Sequence, residues 1–221
     1  MKNYKSLISL ALAGCMAFSL ASCRDDLAPV NTPENALPNA TPLQLLTASE
    51  IAFQPYGYGI WFFGADNFLL NNQMCGFSGS NTLDRLTKFS NTHGMSVSII
   101  KYLGAMEHEF EVMGEEEAAK YKAYYEAVRV LAIYGGIYDT DNQGDIQYNE
   151  AGRYWWGGPL VPKFDRTEDL YNQWNDELKA AVQVFKNPPS VPGDSKQDII
   201  YGMKWDKWAK LASSLRVKLA T

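Results

Sequence analysis

Apolar positions recur at helical spacing through much of the second half of the chain. Ile99, Leu103, Met106, Phe110 and Met113 fall alternately four and three residues apart, which lines them along one face of a helix. Gly114 ends that run. Glu115, Glu116 and Glu117 open the next, with negative charge at the positive end of a helix dipole. The second run carries Tyr121, Tyr124, Val128 and Leu131, and is expected to stop at Gly135-Gly136. Two long helices joined through one Gly predict an antiparallel hairpin. Further on, Asp165 and Glu168 read as a capping-box variant ahead of a stripe formed by Leu170, Trp174, Leu178, Ala181 and Phe185. Asn187-Pro188-Pro189 breaks that helix. A last stripe, Trp205, Trp208, Ala212, Leu215 and Leu219, predicts a final helix.

The first half is less periodic. Thr41-Pro42 reads as an N-cap followed by proline at the first helical position, opening a helix to about Phe53. Gln54–Ile60 reads as a Gly/Pro/Tyr turn, Trp61–Cys75 as a second helix, and Gly76–Gly94 as a polar loop. Sustained period-two alternation is missing, so the expected fold class is all-α: helical hairpins with long loops, packed in a solenoid-like way.

The N-terminus changes the domain picture. Two lysines fall within residues 1–5, and no charge follows from Ser6 to Cys23. A basic start followed by an apolar stretch is the pattern of a bacterial export signal. The stretch closes on Leu20-Ala21-Ser22-Cys23, which resembles a lipobox, the site where a cysteine thiol receives diacylglycerol. A competing box, Leu12-Ala13-Gly14-Cys15, would leave an apolar mature terminus, so Cys23 is the preferred lipidation site. Residues 1–22 then form a lipoprotein signal peptide, 23–40 a Pro- and Asn-rich tether, and 41–221 the folded domain. Arg24-Asp25-Asp26, directly behind the lipid, resembles a lipoprotein surface-export signal. Losing Lys2 and Lys5 takes the net charge from −5 to −7. Such a balance argues against nucleic acid as a partner. Two histidines, His93 and His108, exclude a multi-histidine metal site, and three cysteines are too few for a disulfide framework. Cys75 is left as a lone thiol, expected to be buried.

Two kinds of chemistry remain as candidates. Asp139, Asp141, Gln143, Asp145 and Glu150 fall on positions 1, 3, 5, 7 and 12 of an EF-hand-like loop, with Gly144 at position 6. Oxygen ligands around a sharp glycine turn suit Ca²⁺. Gln at position 5 and the glycine-rich, Trp-containing stretch that follows favour a solvated acidic loop instead. Asp145 and Glu150 are also a carboxylate pair of the type glycosidases use, with nothing to fix their separation. Core filling explains most of the aromatic content (13 Tyr, 10 Phe and 6 Trp), but Trp and Tyr are also what sugar-binding and protein-binding surfaces use. Tyr154, Trp155 and Trp156 lie in a glycine-rich loop, and Tyr56, Tyr58 and Trp61 beside a Gly turn. Flat rings of this kind pack on sugar C–H faces, and Arg153, Asn71 and Asn72 would supply polar contacts. Trp174, Trp205 and Trp208 fall on apolar stripes and are expected in the core.

Three motifs carry a family resemblance. Gly144-Asp145-Ile146-Gln147-Tyr148-Asn149-Glu150-Ala151 is similar to the G-D-I-P-Y-S-E-A stretch of SusD/RagB-type nutrient-binding lipoproteins. Pro162-Lys163-Phe164-Asp165, with Thr167, Glu168, Leu170 and Tyr171 and then Glu177-Leu178 and Ala181, resembles that family's P-K-Y-D helix opening. Tyr201-Gly202, Lys204-Trp205, Trp208 and Ser214-Leu215-Arg216 through Ala220 resemble its Y-G-D…K-W…S-L-R-L-R-L-A helix. Gln147, Asn149, Met203 and Ser213 depart from the usual Pro, Ser, Asp and Asn. The resemblance covers roughly residues 96–221. It implies a tetratricopeptide-like helical fold in a lipid-anchored protein at the outer-membrane surface. It further implies a non-enzyme without cofactors, which captures oligosaccharides or other nutrients and hands them to a TonB-dependent, SusC-like transporter. Members run to roughly twice this length, so the expected region is the N-terminal half.

Overall fold

The computed structural model describes residues 40–53, 94–190 and 193–221. Among them are six α-helices: α1 (Pro42–Ala52), α2 (Met95–Met113), α3 (Glu115–Lys120), α4 (Lys122–Gln143), α5 (Thr167–Lys186) and α6 (Trp205–Leu219). No strand occurs among the described residues. The single β-type feature is an antiparallel bridge between Ile146 and Asp165. The fold class is all-α, as the periodicity predicts. Cys23, Cys75, the expected Trp61–Cys75 helix and the candidate contacts Tyr56, Tyr58, Trp61, Asn71 and Asn72 lie outside the described residues.

α1 begins as its sequence dictates. Thr41 Oγ1 accepts from Gln44 N–H at 3.4 Å, while Gln44 Oε1 accepts from Thr41 N–H at 2.9 Å, a complete capping box with proline at the first turn. α2 and α4 form the expected antiparallel hairpin. Asp139, near the end of α4, reaches the start of α2. Its Oδ1 accepts from Met95 N–H, and its Oδ2 from Ser96 N–H, both at 2.8 Å. An N-cap is thereby supplied from 44 residues away. Burial raises the Asp139 carboxyl above the ordinary carboxylate range, against the downward pull of its Ser96 and Met95 donors.

Two expectations need correction. Gly135-Gly136 does not end the second helix; α4 runs straight through it to Gln143. The interruption comes earlier, at Tyr121, which separates α3 from α4 with φ −101° and ψ 9°. The glycines are there for proximity. A Cβ on Gly135 would lie 2.9 Å from Ser96 N, and one on Gly136 2.7 Å from Trp174 Cζ2. The second correction concerns α5. Asp165 does not cap it; Asp145 does, accepting from Thr167 N–H at 2.9 Å and Thr167 Oγ1 at 3.1 Å. Asp165 instead accepts from Tyr148 N–H at 3.0 Å and Asn149 N–H at 2.9 Å.

From α4 on, each helix runs antiparallel to the next. Trp174 sits on Gly136, and Tyr171 meets Thr140. Arg216 on α6 donates to Asn175 on α5 at 3.0 Å, and Lys218 pairs with Asp141 at 2.6 Å. Ile99, Leu103, Met106, Leu131, Leu170, Trp174, Leu178, Trp208 and Leu215 form one continuous core. Trp174 and Trp208 are buried and Trp205 half-buried.

Gly136→Ala provides a test in which the sign matters. In an ordinary helix interior this change stabilises by up to about 1 kcal/mol. Here the added methyl meets Trp174, and a net destabilisation of about 1–3 kcal/mol in urea denaturation is expected.

Candidate functional site

Residues 151–158 form a short aromatic-bearing turn seated on one face of α2. Five positions of α2 make the seat. Gly152, with φ +71°, approaches Ile100 and Lys101 so closely that a Cβ there would lie 2.9 Å from Lys101 N. Gly104 leaves room for the Gly152 carbonyl oxygen, the Arg153 stem and Trp156 Cζ3, all within 3.4 Å of where its Cβ would stand. Glu107 holds Arg153 through two bonds, Nε to Oε2 at 2.9 Å and Nη2 to Oε1 at 3.0 Å, the fork geometry that fixes a guanidinium in orientation. His108 stacks on Trp156, with ring centroids 5.7 Å apart and planes 26° apart.

The turn is also closed on itself. Arg153 carbonyl oxygen accepts from Trp156 N–H and Gly158 N–H, each at 3.0 Å, and Arg153 Nη1 donates to Ala151 O at 3.0 Å. A 3₁₀ turn over Tyr154–Trp156 results, ending at Gly157 in the left-handed region. On this mount Trp155 is 85% exposed and Tyr154 54% exposed, with their ring centroids 6.0 Å apart and planes inclined at 67°. Trp156 is 37% exposed because one face is spent on His108. Tyr125 joins the support by donating its hydroxyl to Glu107 at 3.2 Å. Burial, then the Glu107 charge, raises that hydroxyl above the ordinary tyrosine range, so it stays a donor.

Of the sequence candidates, the structure thus brings Arg153, Tyr154, Trp155 and Trp156 together, but with divided roles. Trp155 and Tyr154 are displayed, whereas Trp156 and Arg153 are braces. His108, which the sequence did not single out for the site, is part of the mount. Sequence reasoning missed Gly104 and Glu107. A glycine inside an otherwise regular helical stripe was the available signal for the first.

The EF-hand-like spacing does not produce a loop. Asp139, Asp141 and Gln143 are helical residues of α4. The four carboxylates have separate partners. Asp139 caps α2, Asp141 accepts from Tyr171 and Lys218, Asp145 caps α5, and Glu150 accepts from Lys163 N–H at 2.9 Å. Hydrogen bonds from Thr167 hold the Asp145 carboxyl below the usual range. Among the described residues, no group of three or more His, Cys, Asp or Glu side chains is arranged to hold a metal ion. Asp145 and Glu150 thus each accept from a different backbone segment, at Thr167 and at Lys163.

Residues 72–221 match the model of a SusD-like family described as starch-binding and associating with the outer membrane. The chain belongs to the SusD-like family. Members are binding proteins rather than enzymes. No curated protein and no solved structure matches the chain. The SusD-like match takes in α2 to α6 and the whole aromatic turn, so the turn is part of the family region and not an appendage to it.

If Glu107 is the strut that fixes the turn, Glu107→Ala frees it without unfolding the hairpin. Amide exchange at residues 153–158 should accelerate at least about tenfold. Global stability should fall by less than about 1 kcal/mol, because the ion pair is only partly buried. Unchanged exchange would show that the strut is dispensable.

Proposed function

We propose that this SusD-like protein binds glycans at the outer-membrane surface through the Tyr154–Trp156 turn and delivers them to a TonB-dependent, SusC-like transporter. One observation carries the reading: Trp155 is 85% exposed on a turn braced from five positions of a core helix. A tryptophan that contributes so little to the core has a ring face free for a ligand. An indole held still loses little entropy when a sugar stacks on it. Lipid attachment at Cys23 and a tether over residues 23–40 would hold the domain at the membrane without a spanning segment. No helix among the described residues is long and apolar enough to cross a membrane.

The same turn leads into Leu160, Val161 and Phe164, each 70% or more exposed. Aliphatic side chains suit a protein surface better than a sugar, which favours a second reading as a scaffold lipoprotein that binds other proteins and no small ligand.

Trp155→Ala separates the two. Its side chain touches little of the core, so helix content by circular dichroism should not change. Affinity for starch oligosaccharides, measured by calorimetry, should fall at least about tenfold, and the unmutated protein should release no shorter products from them. Equal affinity in the two proteins would remove the turn from the site. Undetectable glycan binding by the unmutated protein would favour the scaffold reading. For the anchor, Cys23→Ser should abolish incorporation of labelled fatty acid, and Cys15→Ser should leave it intact.

A further inference from the structure

Two acidic side chains are buried together where α1 meets the turn that leads into α6. Asp198 is 2% exposed, and each of its oxygens accepts two N–H donors. Oδ1 accepts from Ile200 N–H at 3.1 Å and Tyr201 N–H at 2.7 Å. Oδ2 accepts from Met203 N–H and Trp208 Nε1–H, both at 2.8 Å. Four donors on one carboxyl are the signature of an ionised carboxylate. Burial pushes the Asp198 carboxyl up, but the bonds from Trp208, Tyr201, Glu50 and Met203 together hold it below its ordinary range.

Glu50 on α1 is 5% exposed and has one donor, Ile199 N–H, on Oε2 at 2.8 Å. Its other oxygen, Oε1, is buried with no hydrogen-bond partner among the described residues. An ionised Glu50 would place a second negative charge beside Asp198 with half of its acceptor capacity unmet. Among the described residues, no cation figures among the groups that shift Glu50. The groups acting on Glu50 are Asp198 and the amides of Ile199 and Ile200. From α4, Tyr124 faces Asp198 with a hydroxyl that donates to Met203 Sδ at 3.6 Å; it is neutral, raised to about 12. Lys207 on α6 lies over the Tyr201 ring.

We propose that Glu50 is a protonated acid whose O–H bonds the Asp198 carboxylate, and that this shared proton is a pH-sensitive clasp joining α1 to the turn before α6. The arrangement satisfies both residues. Glu50 Oε2 accepts from Ile199, its hydroxyl donates to Asp198, and only one charge is buried. Loss of the proton to water leaves two facing carboxylates, and α1 is released from the turn. The clasp ties the first helix of the described fold to the segment that leads into the last, where Thr47 Oγ1 also donates to Gln197 O at 2.6 Å.

Burial, followed by the Asp198 hydrogen bond, raises the Glu50 carboxyl from 4.5 to about 8. A group protonated in the folded chain and ionised in the unfolded one stabilises fully below the unfolded value, and that stabilisation is lost as pH rises through the folded value. The loss therefore runs from about 4.5 to about 8. Glu50→Gln keeps both hydrogen bonds without a titrating proton. In urea denaturation of the full chain, the folding constant of the unmutated protein should fall relative to Glu50→Gln by up to about tenfold per pH unit between pH 5 and 8. Parallel pH profiles would overturn the clasp. Carbon-13 NMR titration of the Glu50 carboxyl in the unmutated chain is independent of whether the variant folds. A midpoint above pH 6 supports the proposal, and one at or below 6 overturns it.

Discussion

How closely other segments can approach α4 decides the rest of the described fold. This helix is buried along most of its length, with Ala127, Val128, Val130, Leu131, Ala132 and Ile133 all inaccessible. Gly135 and Gly136 let the α2 backbone and the Trp174 ring come in to distances that any side chain would forbid. That approach carries α2 into register with α4, and Asp139 can then cap α2 at Met95 and Ser96. With α2 fixed, its Ile100–His108 stretch becomes the seat for the aromatic turn. The exposed Trp155 is therefore the far end of a chain of contacts that starts in the middle of the core.

Acidic side chains do a consistent job in this architecture. Asp139, Asp145, Glu150, Asp165 and Asp198 each accept backbone N–H groups from a segment remote in sequence or from the turn that follows. Long loops between helices carry amides that cannot pair with one another, and a carboxylate accepts several at once. An acidic chain can be read as a metal binder or a glycosidase; here much of that acid is structural. Glu50 departs from the pattern, being a buried acid with a single backbone donor.

Helix identity was legible in the sequence because burial on one face imposes a 3.6-residue period. The Leu170–Phe185 stripe and the Trp208–Leu215 stripe are buried as their spacing predicts. Thr41-Pro42 was equally legible, since a capping box is local. What failed was non-local. Gly135-Gly136 reads as a stop, and only Ser96, 39 residues before Gly135, and Trp174, 38 residues after Gly136, make it a contact. Asp139 to Glu150 reads as one loop, because spacing alone does not show that three of its members are already helical. At the site, sequence composition pointed to the aromatic turn. It did not distinguish the displayed Trp155 from the braced Trp156, whose role depends on His108 across the fold.

The SusD-like assignment gives the turn its most direct test, which is to watch the indole itself. In the full chain, each tryptophan Nε1–H can be followed by two-dimensional NMR as starch oligosaccharide is added. The account predicts a saturable shift of the Trp155 signal, with the buried Trp174 and Trp208 signals unmoved. Saturable binding that leaves the Trp155 signal in place would contradict it.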